Sequence, residues 1–282
     1  MKTQHPEVRL PDGTMVPALG QGTWHMGEVP GRASAEVAAL RRGIELGMTL
    51  IDTAEMYGEG GAERVVAQAI AGQRERIFLV SKIYPHHASA AGVAKACAAS
   101  LARLGTDRID LYLLHWRGRY PLAETVAAFE RLREAGHIRF WGVSNCNAED
   151  MAELAGLPAG AACATNQVLY NPEHRGIEFD LLPYCRARGI PIMAYSPLGQ
   201  GGGLLRSPAL TTVARRHDVT PAQVAIAWSM RDGNTISIPK ALDAAHVQQN
   251  AAAAAIRLTA EDIEQIDAVY PTPRRKQALG ML

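Results

Sequence analysis

The strongest constraint on the fold is a repeat. Eight short β-branched or apolar runs recur along the chain, mostly about 30 residues apart, each followed by a loop and then an alanine-rich stretch of helical period. The runs occupy residues 18–22, 49–53, 77–83, 110–115, 140–145, 165–169, 191–196 and 235–239. That spacing is the length of a strand plus its crossover helix, so eight such units predict an α/β fold, a closed (β/α)8 TIM barrel. Between the runs, residues 34–46, 62–71, 91–104, 123–135, 177–188 and 221–230 place apolar side chains three and four apart, as helices packed on a sheet do. Gly47, Gly72, Gly105, Gly136 and Gly189 stand where helix C-caps are expected.

Two features lie outside the repeat. Residues 8–10 and 15–19 flank Pro11-Asp12-Gly13, an N-terminal β-hairpin that would plug the barrel. Two additional helices are expected over 209–217 and 259–268, the second opened by a Thr259-x-x-Asp262 cap. No linker or composition shift divides the chain, so residues 1–282 read as one barrel domain. A doubly wound open sheet has the same alternation of elements. It calls for Gly-x-Gly-x-x-Gly after the first strand, where this chain has Gly22-Thr23-Trp24-His25-Met26-Gly27.

Several function classes are excluded early. No apolar stretch approaches the roughly 20 residues needed to cross a bilayer, and the first ten residues lack the apolar core of a signal peptide, so the cytoplasm is the expected location. A net charge of +1 with interspersed signs gives no reason to expect nucleic acid or an anionic membrane as partner. Cys97, Cys146, Cys163 and Cys185 form no Cys-x-x-Cys pair and the histidines show no ligand spacing, so neither a metal nor a disulfide framework is expected.

In a barrel of this kind the C-terminal ends of the strands gather around one mouth, and active sites are built there. The second run ends near Asp52, the third near Lys82 and the fourth at His115, with Tyr57 in the loop beyond the second. Lysine is seldom buried without a partner, and Asp52 supplies one. Reducing a carbonyl by hydride requires a proton for the developing alkoxide from a donor within hydrogen-bond reach. Tyr57 suits that task if a cation lowers its pKa. Lys82 is the expected cation, Asp52 keeps it charged, and His115 orients the carbonyl oxygen.

These residues sit in motifs that together resemble the aldo-keto reductase superfamily over essentially the whole chain. They are Gly22-Thr23-Trp24, Asp52-Thr53-Ala54-x-x-Tyr57-Gly58, Ser81-Lys82, Leu113-Leu114-His115-Trp116, Gly142-Val143-Ser144-Asn145, Thr165-Asn166-Gln167, Tyr195-Ser196-Pro197-Leu198-Gly199 and Ile238-Pro239-Lys240. Within the superfamily the likeness is to the bacterial YeaE-like branch, around Asp52 to Tyr57 and at the tail. The resemblance implies a catalytic tetrad of Asp52, Tyr57, Lys82 and His115, with Tyr57 as general acid. It also implies a nicotinamide cofactor. Ser144, Asn145 and Gln167 would hold the carboxamide, Tyr195 would stack on the ring, and Ser196, Pro197, Leu198, Gly199 and Gln200 would follow the pyrophosphate. Gly22, Thr23, Trp24 and Asp52, with Ile238, Pro239, Lys240, Ala241, His246, Gln249 and Asn250, complete the implied cofactor set.

The family usually has serine and arginine where this chain has Ala241 and His246, both directed at the adenosine 2'-phosphate. An imidazole carries a pH-dependent charge where arginine carries a permanent one. The expected cofactor is therefore NADPH, moderately preferred and more so as pH falls, with NADH usable. Phosphate would sit at the helix N-terminus after the eighth strand. Short loops and a short tail predict an open pocket edged by Trp24, Tyr84 and Trp116. With Tyr57 and His115 these would meet small aldehydes and ketones such as methylglyoxal and aromatic aldehydes. A monomer or weak homo-oligomer is expected. Two rival readings remain at this level. A barrel aldolase needs an uncharged lysine, which Asp52 opposes. A cofactor-bound regulatory subunit of a membrane channel has the same tetrad, and steady-state NADPH oxidation separates it from an enzyme.

Overall fold

The computed structural model describes residues 6–282. Part of the expectation about the first ten residues falls on 1–5, outside the described residues. A hairpin of β1 (Glu7–Arg9) and β2 (Met15–Pro17) comes first, with Val8 opposite Val16. The strands β3 (Gly20–Gly22), β4 (Leu50–Asp52), β5 (Phe78–Ile83), β6 (Ile109–Leu114), β7 (Ile138–Ser144), β8 (Cys163–Leu169), β9 (Ile192–Tyr195) and β10 (Thr235–Ser237) then pair in parallel, in chain order. The sheet closes on itself. Leu19 bridges Ser237, the Ser237 amide donates to the Ala18 carbonyl at 2.8 Å, and the Gly22 amide donates to the Pro239 carbonyl at 3.0 Å. This seam makes a barrel of what would otherwise be an open sheet. A Cβ at position 22 would lie 2.8 Å from the Ile238 carbonyl oxygen, so the backbones meet there only because residue 22 is glycine.

Around the barrel run α1 (Ala33–Glu45), α2 (Gly61–Ile70), α3 (Ala90–Leu104), α4 (Leu122–Glu134), α5 (Ala148–Ala155), α6 (Leu181–Arg186), α7 (Pro208–Arg216), α8 (Pro221–Ser229), α9 (Ala244–Ala252) and α10 (Ala260–Asp267). The two additional helices are α7 and α10, and the Thr259–Asp262 box caps α10 as its sequence indicates. Gly105 ends α3 at φ 62°, its amide donating to the Leu101 carbonyl, and the other four glycines expected at helix ends also have positive φ. Residues 177–188 do not form one helix. A short 3-10 turn over Gly176–Glu178 precedes α6, because Pro183 is tolerated only in a helix's first turn and the helix must begin just before it. Sequence reading had no element for α5, which opens on a reciprocal Asn147–Asp150 capping box.

Alternation along the strands sorts the side chains. Leu50, Val80, Leu111, Leu113, Met193 and Ile236 point into the barrel, while Ile51 and Leu79 pack outward against the helices. Val8, Leu10 and Val16 of the hairpin join the inner cluster, so the hairpin is a plug, as expected. Two residues beyond Leu50 and Val80, the same alternation turns Asp52 and Lys82 inward at the far end. Among the described residues no helix is long and apolar enough to cross a membrane.

Candidate active site

The inward turn of β4 and β5 places a fully buried ammonium against a carboxylate. Lys82 Nζ donates to Asp52 Oδ2 at 2.7 Å, to the Thr53 carbonyl at 2.9 Å and to the Tyr57 hydroxyl oxygen at 3.1 Å. An ammonium has three donors, and all three are spent. Because Tyr57 accepts from Lys82, its own O–H hydrogen must point elsewhere, into the open space above. Asp52 is fixed from across the barrel as well, since Gln167 Nε2 donates to Asp52 Oδ1 at 2.7 Å. His115 follows β6, with its ring 5.7 Å from the Tyr57 ring at an angle of 76°.

The electrostatics differ from the sequence expectation at one point. Burial raises the Tyr57 hydroxyl well above its ordinary pKa, and the Asp52 carboxylate pushes in the same direction. Lys82 does not reverse this, because its charge is paired with Asp52 and the phenol faces a nearly neutral ion pair. Lys82 itself is lowered by burial, against the pull of Asp52. Tyr57 therefore keeps its proton, and Lys82 fixes the orientation of the phenol through its hydrogen bond. His115 is held down to about 2, by burial first and then by the Lys82 charge, so its ring is neutral. Its Nδ1 is buried without a protein partner.

Above these groups opens a cavity of about 1000 Å³, at the upper end of the range for small-molecule sites. Its inner end is lined by Asp52, Tyr57, His115 and Trp116, with Gly22, Thr23 and Trp24 from the β3 loop beside them. Ser144, Asn145, Gln167 and Tyr195 form one wall. Asn145, at φ 54°, donates to the His115 carbonyl at 3.1 Å and accepts from the Tyr195 hydroxyl at 3.0 Å, which locks that wall together. Ser196, Pro197, Leu198 and Gln200 continue it, and Ile238, Pro239, Lys240, Ala241, His246, Gln249 and Asn250 line the outer end. Lys82 lies beneath the floor, reaching the cavity only through Tyr57.

Besides Lys82, two of the expected residues are not brought to the cavity. Gly199, at φ 57°, turns toward Leu204 and Glu173. Tyr84 packs on His86 and meets Trp116 edge-on at 6.0 Å, which puts it behind the tryptophan. The pocket is also less open than a short tail suggested. Arg175 donates to Asp267 Oδ1 at 2.6 Å, to Thr272 Oγ1 at 2.8 Å and to the Tyr270 carbonyl, stitching the start of the tail to the loop after β8. Lys276 pairs with Glu149 and Asp180, and the chain then carries Met281 and Leu282 to the cavity wall. Sequence reading missed these two, along with His25, Met56, Thr220 and Pro221. Only Thr220-Pro221, a helix start signal ahead of a loop-facing turn, had a trace in the sequence.

At the outer end, Asp243 caps α9. Its Oδ1 accepts from the Ala245 amide at 2.8 Å and the His246 amide at 3.2 Å, the groups a phosphate at that helix N-terminus was expected to use. Burial lowers Lys240, with Glu36 and Glu28 opposing and Arg32 adding to the shift.

A floor of paired charge, a proton donor aimed upward and a long cavity closed by the barrel seam make a reductase mouth, and the chain belongs to the Aldo/keto reductase family, whose model matches residues 18–271. Among its relatives is the methylglyoxal reductase YeaE of Escherichia coli strain K12, 51% identical over 283 residues, covering 99% of this chain and 100% of that protein. The glyoxal reductase of Bacillus subtilis strain 168 is 33% identical over 267 residues, 95% of this chain and 94% of its own length. A crystal structure of an aldo/keto reductase from Klebsiella pneumoniae in complex with NADP and acetate superposes with a TM-score of 0.96 at 51% identity, covering 99% of this chain and 100% of that one.

Proposed function

We propose that this chain reduces the carbonyl of small aldehydes and ketones, methylglyoxal and aromatic aldehydes among them, with NADPH as cofactor. The observation that carries it is the donor accounting at Tyr57: Lys82 fills the phenol's acceptor side and leaves its hydrogen directed at the cavity. The cavity's donor set fits a nicotinamide. Gln167 Nε2 is committed to Asp52, so Gln167 Oε1 and the Ser144 hydroxyl hydrogen remain as an acceptor and a donor for a carboxamide. Tyr195, steadied by Asn145, offers a flat face beside them. When bound, the cofactor supplies the hydride that adds to the carbonyl carbon.

This chain's residues do the rest. His115, neutral, donates a hydrogen bond to the carbonyl oxygen and sets its angle. Tyr57 gives its proton to that oxygen as charge develops there, and the resulting phenolate is held by the Lys82 ammonium at once. Asp52 keeps Lys82 charged in a buried site. Trp24, Trp116, Met281 and Leu282 wall the substrate end, which suits small or flat carbonyl compounds. The same reading treats residues 1–282 as one barrel domain acting in the cytoplasm, as a monomer or weak homo-oligomer. Loss of NADPH absorbance with methylglyoxal and benzaldehyde tests it. Turnover of both is expected, and activity confined to a bulky steroid-like ketone would overturn the substrate assignment.

A further inference from the structure

The outer end of the cavity is short of positive charge. Among the described residues that line it, Lys240 is the sole lysine or arginine, and His246 is the nearest other nitrogen base along the same segment. Arg32 acts on Lys240 through space but does not line the cavity. Carboxylates crowd the same region. Glu36 is buried and accepts from the Gly27 amide at 2.9 Å, and Glu28 holds His25 at 2.9 Å. Asp243 does not itself line the cavity, but in the chain it lies between Ala241 and His246, both of which do.

The position of Asp243 fixes where its charge sits. The first amides of a helix attract anions because they are unpaired and sit at the positive end of the helix dipole. In α9 those at Ala245 and His246 are both taken by one oxygen of Asp243. An incoming phosphate there meets a fixed negative charge and finds two amides occupied, with Lys240 as its remaining strong partner.

We propose that Asp243 is a specificity-determining residue that works against the adenosine 2'-phosphate: its carboxylate charge, held at the N-terminus of α9 by the Ala245 and His246 amides, keeps the preference for NADPH over NADH to a moderate level. The inference rests on the cofactor reading above and deepens it. A serine or asparagine at this position would cap the helix equally well without the charge, since both are good N-caps. The aspartate is thus not needed for folding of α9, and its charge is felt by the ligand. NADH, with a hydroxyl in place of the phosphate, does not feel that repulsion.

The test is isothermal titration of wild type, Asp243→Asn and Asp243→Ser with NADP+ and NAD+, which reads affinity and needs no turnover. Both variants should bind NADP+ about fivefold more tightly, with NAD+ affinity unchanged, the size expected for one charge at a helix N-terminus. The gain should shrink as salt is raised, because the carboxylate is exposed and screened. A NADP+ to NAD+ ratio that stays the same in both variants, or a gain indifferent to salt, overturns the inference while leaving the cofactor reading intact. A wild-type protein that binds NAD+ and not NADP+ overturns both. Circular dichroism of each variant confirms that α9 is retained, and the Ser variant stands in if the Asn variant fails to fold.

Discussion

The two ends of the cavity are built on opposite principles. At the inner end Lys82 is fully buried, Asp52 is nearly so, and every donor of the ammonium has a named acceptor. At the outer end Asp243 and His246 are exposed and Lys240 is only half-buried. Charges in the first setting are worth several kcal/mol and leave no freedom to rearrange, whereas exposed ones are worth about 1 kcal/mol or less. Proton donation needs fixed geometry, which the barrel's own core can supply. Cofactor selectivity needs only a modest difference, which groups that water already surrounds can supply.

The largest expected effect would break the inner end directly. Tyr57→Phe removes the proton donor and keeps the ring, so turnover should fall by about 10² to 10⁴ while NADP+ affinity hardly moves. Turnover within a few-fold of wild type would remove Tyr57 from the role. Next, Asp52→Asn leaves the Lys82 ammonium buried without a countercharge, at an expected loss of about 3–5 kcal/mol in urea unfolding at neutral pH. A loss below about 1 kcal/mol, the value of an exposed pair, would erase the contrast between the two ends.

The third prediction concerns acid. His115 has its folded pKa depressed to about 2, below that of the unfolded chain, so between the two values the unfolded state binds the extra proton. Stability from this group is complete above about pH 6.5 and declines below it by up to about 1.4 kcal/mol per pH unit. His115→Asn should flatten the decline between about pH 6.5 and 4 in denaturant titrations. Parallel slopes in the two proteins would assign the acid sensitivity elsewhere. The smallest effect sharpens the outer end. His246→Arg should raise the NADPH to NADH ratio of kcat/KM only about threefold, since the new cation is solvated and Asp243 still opposes the phosphate. A gain of a hundredfold would show that this end is as tightly built as the inner one.

Much of this was readable from the chain. The period of the strands, their alternation and the positions of Asp52, Lys82 and His115 at their ends follow from local patterns, and local patterns are what a sequence displays. The raised pKa of Tyr57 was not readable, because it comes first from burial and then from the nearby Asp52 carboxylate, both set by how separate strands and loops pack together. The return of Met281 and Leu282 was hidden for a related reason. It depends on Arg175, nearly a hundred residues earlier in the chain, whose three contacts with the tail leave no periodic mark. Nor did any spacing rule reveal that Asp243 takes the amides of its own helix. The Asn147–Asp150 box at α5 carries the same signal as Thr259–Asp262 and opens a helix of the same length, eight residues, so α5 was legible in the sequence although it was not read there.

The seam between Ala18–Gly22 and Ser237–Pro239 sets the moment at which the protein can first act. During synthesis the leading strand leaves the ribosome more than two hundred residues before its neighbour is made. Until that neighbour arrives, Gly22, Thr23 and Trp24 face no opposite bank, and the slot between them and Lys240 does not exist. The Asp52–Lys82 pair joins adjoining strands only 30 residues apart, whereas the slot for a dinucleotide requires strands from the two ends of the described barrel to meet. A place for the cofactor is thus a late event, arriving with closure of the ring, and a chain stalled short of residue 237 lacks one bank of the slot.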